Sequence, residues 1–151
     1  KITPTSRSLP IALLRARERV MGPVRGLLAE VGLTEQQWRV MRVLQEEGPM
    51  EPTRIADKAC LLMPSLTRIL QKLEEKKLIR RKPDKSDRRR QIVQISARGM
   101  NVIEANIDRN LAALEDVRLK LGAEKYDALL DLLNELYRLD SAAPVPERVA
   151  R

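Results

Sequence analysis

The sequence predicts a mainly α-helical protein with one small β-hairpin, and three observations indicate this fold class. Apolar residues recur at helical spacing along most of the 151 residues. Two short segments that contain β-branched or apolar residues, at 78–82 and 92–95, flank a basic loop, as is typical of a hairpin. With 151 residues, of which 43% are hydrophobic, the chain is long enough to bury a core without disulfides or metals. We expect a single domain over residues 8–140, between a disordered arm at 1–7 and a disordered tail at 141–151.

The first helix is predicted to begin at Ser8, a residue type that caps helices, and to end at Gly32. Gly22 and Pro23 lie inside this pattern. Because proline lacks a backbone donor and clashes with the preceding turn, we expect a kink or a break there. The apolar side of the helix carries Ile11, Leu14, Met21, Val24 and Leu28.

A second helix is predicted to open at Thr34, because Thr34 and Gln37 have the spacing of a capping box. It is predicted to stop at Gly48-Pro49. Its inward-facing residues are Val40, Met41, Val43 and Leu44.

Two short helices joined by a tight turn are predicted next. The first runs from Glu51 to Lys58, and Pro64-Ser65 is a start signal for the second. Such a pair is a candidate helix-turn-helix, whose second member is the recognition helix. The apolar stripe of that helix is Leu66, Ile69, Leu70 and Leu73, and its outward residues are Ser65, Thr67, Arg68, Gln71 and Lys72.

The hairpin follows directly, and its register puts Ile92 and Gln94 on one face and Val93 and Ile95 on the other. A helix-turn-helix followed by a hairpin, which is called the wing, is a winged helix-turn-helix. We expect this arrangement over residues 34–96. Ser96 can cap a long helix, which Gly122 ends, and a last helix follows it. Each of those helices has an apolar face that needs cover, so we expect dimerisation helices at 8–31 and 97–140.

Composition limits the kinds of site that the chain can hold. It contains no His and a single Cys, which excludes an intrachain disulfide, a His-containing triad and a Cys/His zinc site. We therefore expect no metal, no cofactor and no enzymatic activity, although an enzyme that acts on aromatic acids through carboxylates, Lys or Tyr stays open as an alternative. No apolar run approaches the roughly 18 residues that span a bilayer, so we expect a cytoplasmic protein.

The net charge of +8 favours a polyanionic partner, and nucleic acid is the first to expect. From Lys76 to Arg90, nine basic residues stand against Asp84 and Asp87. If these basic residues stood alone in the sequence, a solvated loop would explain them. They lie on a hairpin after a recognition helix, however, and this position favours contact with the minor groove of DNA. An architectural protein that coats DNA without sequence preference fits the charge equally well.

The candidate DNA-binding residues belong to the recognition helix and the wing. Arg68 and Gln71 are long enough to read base edges in the major groove, while Ser65 and Thr67 suit phosphates near the helix start. A dimer would place two recognition helices about 34 Å apart, so the operator should be a pseudo-palindrome. The full set is Pro64, Ser65, Thr67, Arg68, Gln71, Lys72, Lys85, Asp87, Arg88, Arg89 and Arg90.

Two residues outside that surface stand out. Arg17 lies in the apolar stripe of the first helix, where a guanidinium needs an anionic partner. That partner could be an internal carboxylate from the long helices, such as Glu104 or Asp108, or the carboxylate of a ligand. Trp38 is the one Trp of a chain without Phe, and it could anchor the core or line an aromatic pocket.

Cys60 is predicted at the junction of the two helix-turn-helix helices. The ordinary role of such a residue is a small buried hydrophobe. An oxidation sensor is the alternative, because Arg54 and Lys58 are near enough in sequence to favour a thiolate.

The chain resembles the MarR family of dimeric winged-helix regulators. The segment DRRRQIVQISARG carries the family's wing signature, with matches at Asp87, Arg89, Val93, Ile95, Ser96 and Gly99. The likeness covers roughly residues 8–140. Within the family, SLPIALLRARERVM, LTEQQWRVMRVL and ACLLMPSLTRIL resemble regulators of homoprotocatechuate degradation operons.

The resemblance implies a homodimeric repressor that binds double-stranded DNA and is released by a small aromatic acid, homoprotocatechuate, to control an aromatic catabolic operon. It also implies that Asp87 and Arg89 form a bidentate pair that shapes the wing. Together with the unusual place of Arg17, it favours an aromatic pocket between the dimer helices and the winged helix. The candidate ligand-binding residues are Ser8, Arg17, Met21, Trp38 and Arg39. A DNA-binding regulator that senses thiol oxidation at Cys60 remains the alternative.

Overall fold

The computed structural model describes residues 1–139, and the tail predicted at 141–151 lies outside them. The described part contains six α-helices and one two-stranded sheet, which confirms the mainly α class with a hairpin. A 3-10 turn at Thr5–Arg7 precedes them. The elements are α1 (Leu9–Glu30), α2 (Glu35–Glu47), α3 (Pro52–Ala59), α4 (Met63–Glu75), β1 (Ile79–Pro83), β2 (Gln91–Ile95), α5 (Ala97–Leu121) and α6 (Ala123–Tyr137).

Helix α1 runs without a break through Pro23, so the break allowed for in the sequence does not occur. Gly22 and Pro23 lie on the exposed side of the helix, where water can replace the hydrogen bond that proline cannot donate. Ser8 occupies the N-cap position, but its side chain makes no capping hydrogen bond.

Helix α2 begins with the predicted capping box. The Thr34 hydroxyl accepts from the backbone N–H of Gln37 at 3.1 Å, and the Gln37 side chain accepts from the backbone N–H of Thr34 at 3.2 Å. The helix ends at Gly48, whose φ of 85° is accessible to glycine at little cost.

The core lies among α2, α3, α4 and the hairpin. Met41 and Leu44 of α2 meet Ile55 of α3 and Leu66 and Leu70 of α4, all essentially inaccessible to solvent. This arrangement confirms the winged helix-turn-helix. Its consequence for function is that the opposite sides of α4 and the hairpin stay free.

The hairpin pairs Ile79 with Ile95 and Pro83 with Gln91. The backbone of Met50 also bridges to Val93, with N–O distances of 3.0 and 2.9 Å, which ties the wing to the segment before α3. Val93 is fully buried, whereas Ile92 and Gln94 on the other face are half-buried.

Helix α5 begins at a tight junction with the wing. The Ser96 hydroxyl accepts from the backbone N–H of Gly99 at 3.0 Å and donates to the Lys77 carbonyl at 2.7 Å. A Cβ at residue 99 would overlap the Leu78 carbonyl oxygen and the Ile95 side chain, so only glycine fits. This junction explains two residues of the wing signature, Ser96 and Gly99.

The chain forms two compact units, Lys1–Leu114 and a second one that begins at Glu115 within α5. The expectation of one domain over residues 8–140 therefore stays a prediction. In the second unit, α6 exposes an apolar stripe, with Leu129, Leu130, Leu133 and Leu136 each 37–44% exposed. Among the described residues, no helix is both long and apolar enough to cross a membrane.

Candidate functional site

The recognition helix α4 presents its predicted residues to solvent. Leu66, Leu70 and Leu73 face the core, one below the other at helical spacing. Ser65 is half-buried at the edge of the stripe, and the Thr67 hydroxyl donates to the Met63 carbonyl at 2.9 Å. The remaining members of the predicted set on this helix are exposed: Pro64, Thr67, Arg68, Gln71 and Lys72.

A groove of about 350 Å³ joins this helix to the start of α2. Arg68 and Lys72 supply cations to it, while Thr34 and Gln36 stand at the N-terminus of α2. A helix N-terminus carries free N–H groups and a partial positive charge, so the groove is suited to a phosphate group. Gln36 was not predicted as a member of this surface, because the spacing of apolar residues does not show that α2 and α4 lie side by side.

In the wing, Asp87 holds Arg89. Nε of Arg89 lies 3.2 Å from Oδ1 of Asp87 and Nη2 lies 3.3 Å from Oδ2, which is the bidentate pair that the resemblance implied. Asp87 also accepts from the backbone N–H of Arg89 at 3.1 Å. Hydrogen bonds from the side chain and then from the backbone of Arg89 hold the pKa of the Asp87 carboxyl below its usual range.

The other basic residues of the wing differ in how tightly they are held. Lys85 and Arg88 are exposed and form no ion pair within residues 1–139. Arg90 contacts Glu51, at 3.3 Å, as well as Asp87 at 3.8 Å. Glu51 thus anchors the wing to the start of α3, a contact that sequence could not show because the residues are 39 positions apart.

Arg17 has a partner other than those expected. Its Nη2 lies 2.6 Å from Oε2 of Glu35, at the first turn of α2, whereas Glu104 and Asp108 are exposed. Arg25 also binds Glu35, at 3.2 Å. The assignment to Glu104 or Asp108 is therefore wrong, because Arg17 turns towards α2 rather than α5.

Glu35 is the centre of this network and its side chain is 11% exposed. Burial raises the pKa of its carboxyl, but the hydrogen bonds and charges of Arg17 and Arg25 outweigh that effect, and the pKa lies below its usual range. The carboxylate is thus ionised at neutral pH and joins α1 to α2.

Next to this network lies a cavity of about 460 Å³ between α1, α2 and α5. Each helix contributes residues at positions i, i+3, i+4 and i+7, which is one stripe two turns long. The size falls within the range of small-molecule sites. The stripes are Arg17, Val20, Met21 and Val24; Glu35, Trp38, Arg39 and Arg42; and Ile107, Asn110, Leu111 and Leu114.

The cavity brings together four of the five predicted ligand-binding residues. Arg17, Met21, Trp38 and Arg39 line it, and Ser8 does not. Arg42 was not predicted, although the pattern Trp-Arg-x-x-Arg puts both arginines on one side of α2. The residues of α5 were not predicted either, because nothing in the sequence links that helix to α1 and α2.

The polar groups of the cavity suit an organic anion. Three arginines line it against the single carboxylate of Glu35, which is already bound to Arg17 and Arg25. Nε of Arg39 is buried without a hydrogen-bond partner within the described residues. Such a buried donor is costly to leave unpaired. Trp38 provides a flat aromatic surface beside these cations.

Cys60 is exposed, so its assignment as a buried hydrophobe is wrong. It ends α3 with a left-handed backbone, φ 53°, and thus lies on the turn rather than on the buried side of either helix. Lys58 pairs with Glu47 at 3.4 Å.

Comparison with known proteins shows what family the fold and site belong to. The model of the MarR family matches residues 33–90, which comprise the winged helix up to the wing turn. The HTH-type transcriptional regulator FarR of Neisseria gonorrhoeae is 38% identical over 138 residues, 89% of this chain and 92% of FarR. The chain belongs to the MarR family. It is thus a transcription regulator with a winged-helix DNA-binding fold.

Two further matches have names that mention an aromatic acid. The homoprotocatechuate degradative operon repressor of Escherichia coli is 35% identical over 135 residues, 89% of this MarR-family chain and 91% of the repressor. A crystal structure of NadR in complex with 4-hydroxyphenylacetate superposes with a TM-score of 0.81 at 34% identity, and covers 93% of this chain and 99% of NadR.

Proposed function

We propose that the protein is a homodimeric repressor that binds a pseudo-palindromic operator and is released by a small aromatic acid, with homoprotocatechuate as the leading effector. The observation that carries this proposal is the arginine-lined cavity beside Trp38, adjoining the helix that supports the recognition helix. One relative represses a homoprotocatechuate operon, and another binds a hydroxyphenylacetate.

Charge and exposure support the DNA side of the proposal. The exposed side of α4 would enter the major groove, with Arg68 and Gln71 reading base edges. Arg89, aimed by Asp87, would enter the minor groove, while Lys85 and Arg88 would contact phosphates. Arg90 serves a double role, because its bond to Glu51 also holds the wing in place.

The exposed stripe of α6 supports a dimer. Leaving a stripe of leucines in contact with water is unfavourable, so another surface is expected to cover it. A second copy is the partner that a two-fold operator requires.

The effector would act through α2. This helix lines the cavity with Trp38, Arg39 and Arg42, and its opposite side packs against α4 through the core. An acid that binds one position of α2 more tightly than another shifts the population of dimers towards one spacing of the recognition helices. Repression ends if the favoured spacing does not match the operator.

Trp38 fluorescence tests the effector directly, since this residue is the one Trp of the chain and lines the cavity. Homoprotocatechuate is titrated into wild type, with protocatechuate, salicylate and benzoate for comparison. We expect a saturable change that is selective for homoprotocatechuate. Binding should weaken about tenfold or more in Arg17→Ala and Arg42→Gln. Arg19→Ala removes an exposed charge from the same helix as Arg17 and should leave binding unchanged.

The alternatives give different results in the same system. No fluorescence change with any acid, together with an unshifted melting temperature, would contradict the effector assignment. Release of DNA by peroxide, blocked in Cys60→Ser, would instead support oxidation sensing at the exposed thiol. A DNA-coating protein would release a labelled duplex when unrelated duplex is added in excess. A repressor should instead bind its operator on the order of a thousand times more tightly than unrelated duplex. Turnover of the bound acid would identify an enzyme.

A further inference from the structure

We propose that Asn110 recognises a ring hydroxyl of the effector and so restricts the regulator to hydroxylated aromatic acids. This inference rests on the proposed function and deepens it, because it assigns the group that separates a hydroxyphenylacetate from phenylacetate itself. Asn110 belongs to α5 and lines the same cavity as the arginines of α2.

Asn110 is an unusual residue for its position. It is 6% exposed, and three of the four α5 residues that line the cavity are apolar: Ile107, Leu111 and Leu114. Its Nδ2 has no hydrogen-bond partner within the described residues. Buried amides are nearly always paired, so an unpaired one in a ligand-sized cavity indicates a partner that is not part of this chain.

A second asparagine on the same helix shows that α5 itself can satisfy such a side chain. Nδ2 of Asn106 donates to the Val102 carbonyl at 2.8 Å, one turn back along the helix. Asn110 makes no such bond, and the residue lines the cavity. Its Nδ2 is therefore left unused by the fold, whereas that of Asn106 is used.

The chemistry of an amide suits a hydroxyl better than a carboxylate. A carboxylate only accepts hydrogen bonds, and the cavity already offers it the charged donors of Arg39 and Arg42. A ring hydroxyl both donates and accepts, so it can pair with Nδ2 as an acceptor and with Oδ1 as a donor. Because the arginines and Asn110 are on different helices, one effector can bind both through its two ends.

A binding site that forms hydrogen bonds with a ligand hydroxyl rejects an analogue without that hydroxyl, because the polar group of the protein is then left unpaired. The ligand preference of this protein should therefore depend on Asn110. Removing the amide should cost nothing in the empty protein, where it has no partner.

The test measures dissociation constants of phenylacetate, 4-hydroxyphenylacetate and homoprotocatechuate by Trp38 fluorescence. It compares wild type with Asn110→Leu, which has a similar shape without polar atoms, and with the matched control Asn106→Leu. We expect wild type and the control to prefer the hydroxylated acids by about tenfold or more. Asn110→Leu should lose that preference, while its affinity for phenylacetate stays within about twofold of wild type. Its melting temperature without ligand should rise by roughly 2–8 °C.

Each contrary result has a distinct meaning. If wild type binds all three acids and Asn110→Leu keeps the hydroxyl preference, the role of Asn110 is refuted and the proposed function stands. Equal affinity of wild type for the three acids would refute the role in the same way. A preserved preference together with a weaker dimer would assign Asn110 to the subunit interface instead. If wild type binds none of them, the effector class and the role of Asn110 fail together.

Discussion

The Asp87 carboxylate binds the Arg89 guanidinium side by side, with Nε–Oδ1 and Nη2–Oδ2 distances of 3.2 and 3.3 Å. The Arg89 side chain is nevertheless 91% exposed. The pair thus fixes the direction of a cation and leaves it free to meet DNA. Since the hydrogen bonds from Arg89 lower the pKa of Asp87, its carboxylate stays ionised at any pH at which DNA binding is measured.

Replacing Arg89 with Ala should weaken binding to a specific duplex by about tenfold or more at moderate salt, because a groove contact and a cation are lost. Fluorescence anisotropy of a labelled duplex measures the effect. Asp87→Asn should give a smaller loss, since Arg89 remains but is no longer aimed. Arg138→Ala removes the same charge from the exposed end of α6 and should change little. Unchanged affinity in Arg89→Ala would rule out its role.

The junction between the wing and α5 predicts a stability defect. In Gly99→Ala the new methyl group would overlap the Leu78 carbonyl, so the backbone must shift. We expect the free energy of unfolding to fall by about 2 kcal/mol in urea titrations. Gly26→Ala is the matched control, because a Cβ there meets open space and alanine favours a helix by up to about 1 kcal/mol. Equal stability of the two variants would contradict the described packing.

The Glu35 network predicts a pH dependence. The pKa of this carboxyl is lower in the folded protein than its ordinary value of 4.5, so its contribution to stability is complete above that pH and is lost as the pH falls further. Glu35→Gln should lower the free energy of unfolding at pH 7 by roughly 1–3 kcal/mol and flatten its dependence on acid pH. Glu46→Gln, an exposed residue of the same helix, should keep the wild-type profile.

Charges on the exposed stripe of α6 should separate the proposed dimer. Leu129→Glu combined with Leu133→Glu places two carboxylates in the surface that the second copy would cover. Sedimentation velocity should show monomers at concentrations where wild type is dimeric, and DNA affinity should fall as the two half-sites uncouple. Ala128→Glu, at an exposed position away from the stripe, should leave the dimer intact. A double variant that stays dimeric would place the interface elsewhere.

Local signals made much of this fold predictable. The capping box of Thr34 and Gln37, the alternation around Val93 and the cap at Ser96 act over a few residues, and each is present in the structure. The pair of Asp87 and Arg89 was expected from the resemblance to the MarR wing signature, and the structure contains it.

The remaining features depend on contacts that sequence does not encode locally. Arg17 binds Glu35 across 18 positions, and Arg90 binds Glu51 across 39. The cavity needs three helices, so its α5 wall with Asn110 could not be placed from periodicity alone. Cys60 was misjudged because its position on a left-handed turn, rather than its residue type, decides its exposure.

Release of DNA by the effector tests the central claim most directly. A labelled duplex selected by the protein from a random pool is bound to saturation, and homoprotocatechuate is titrated while anisotropy is followed in an excess of unrelated duplex. The proposed function predicts saturable release by homoprotocatechuate, a weaker response to benzoate, and a markedly reduced response in Arg42→Gln. A complex that survives saturating concentrations of every aromatic acid tried would contradict it.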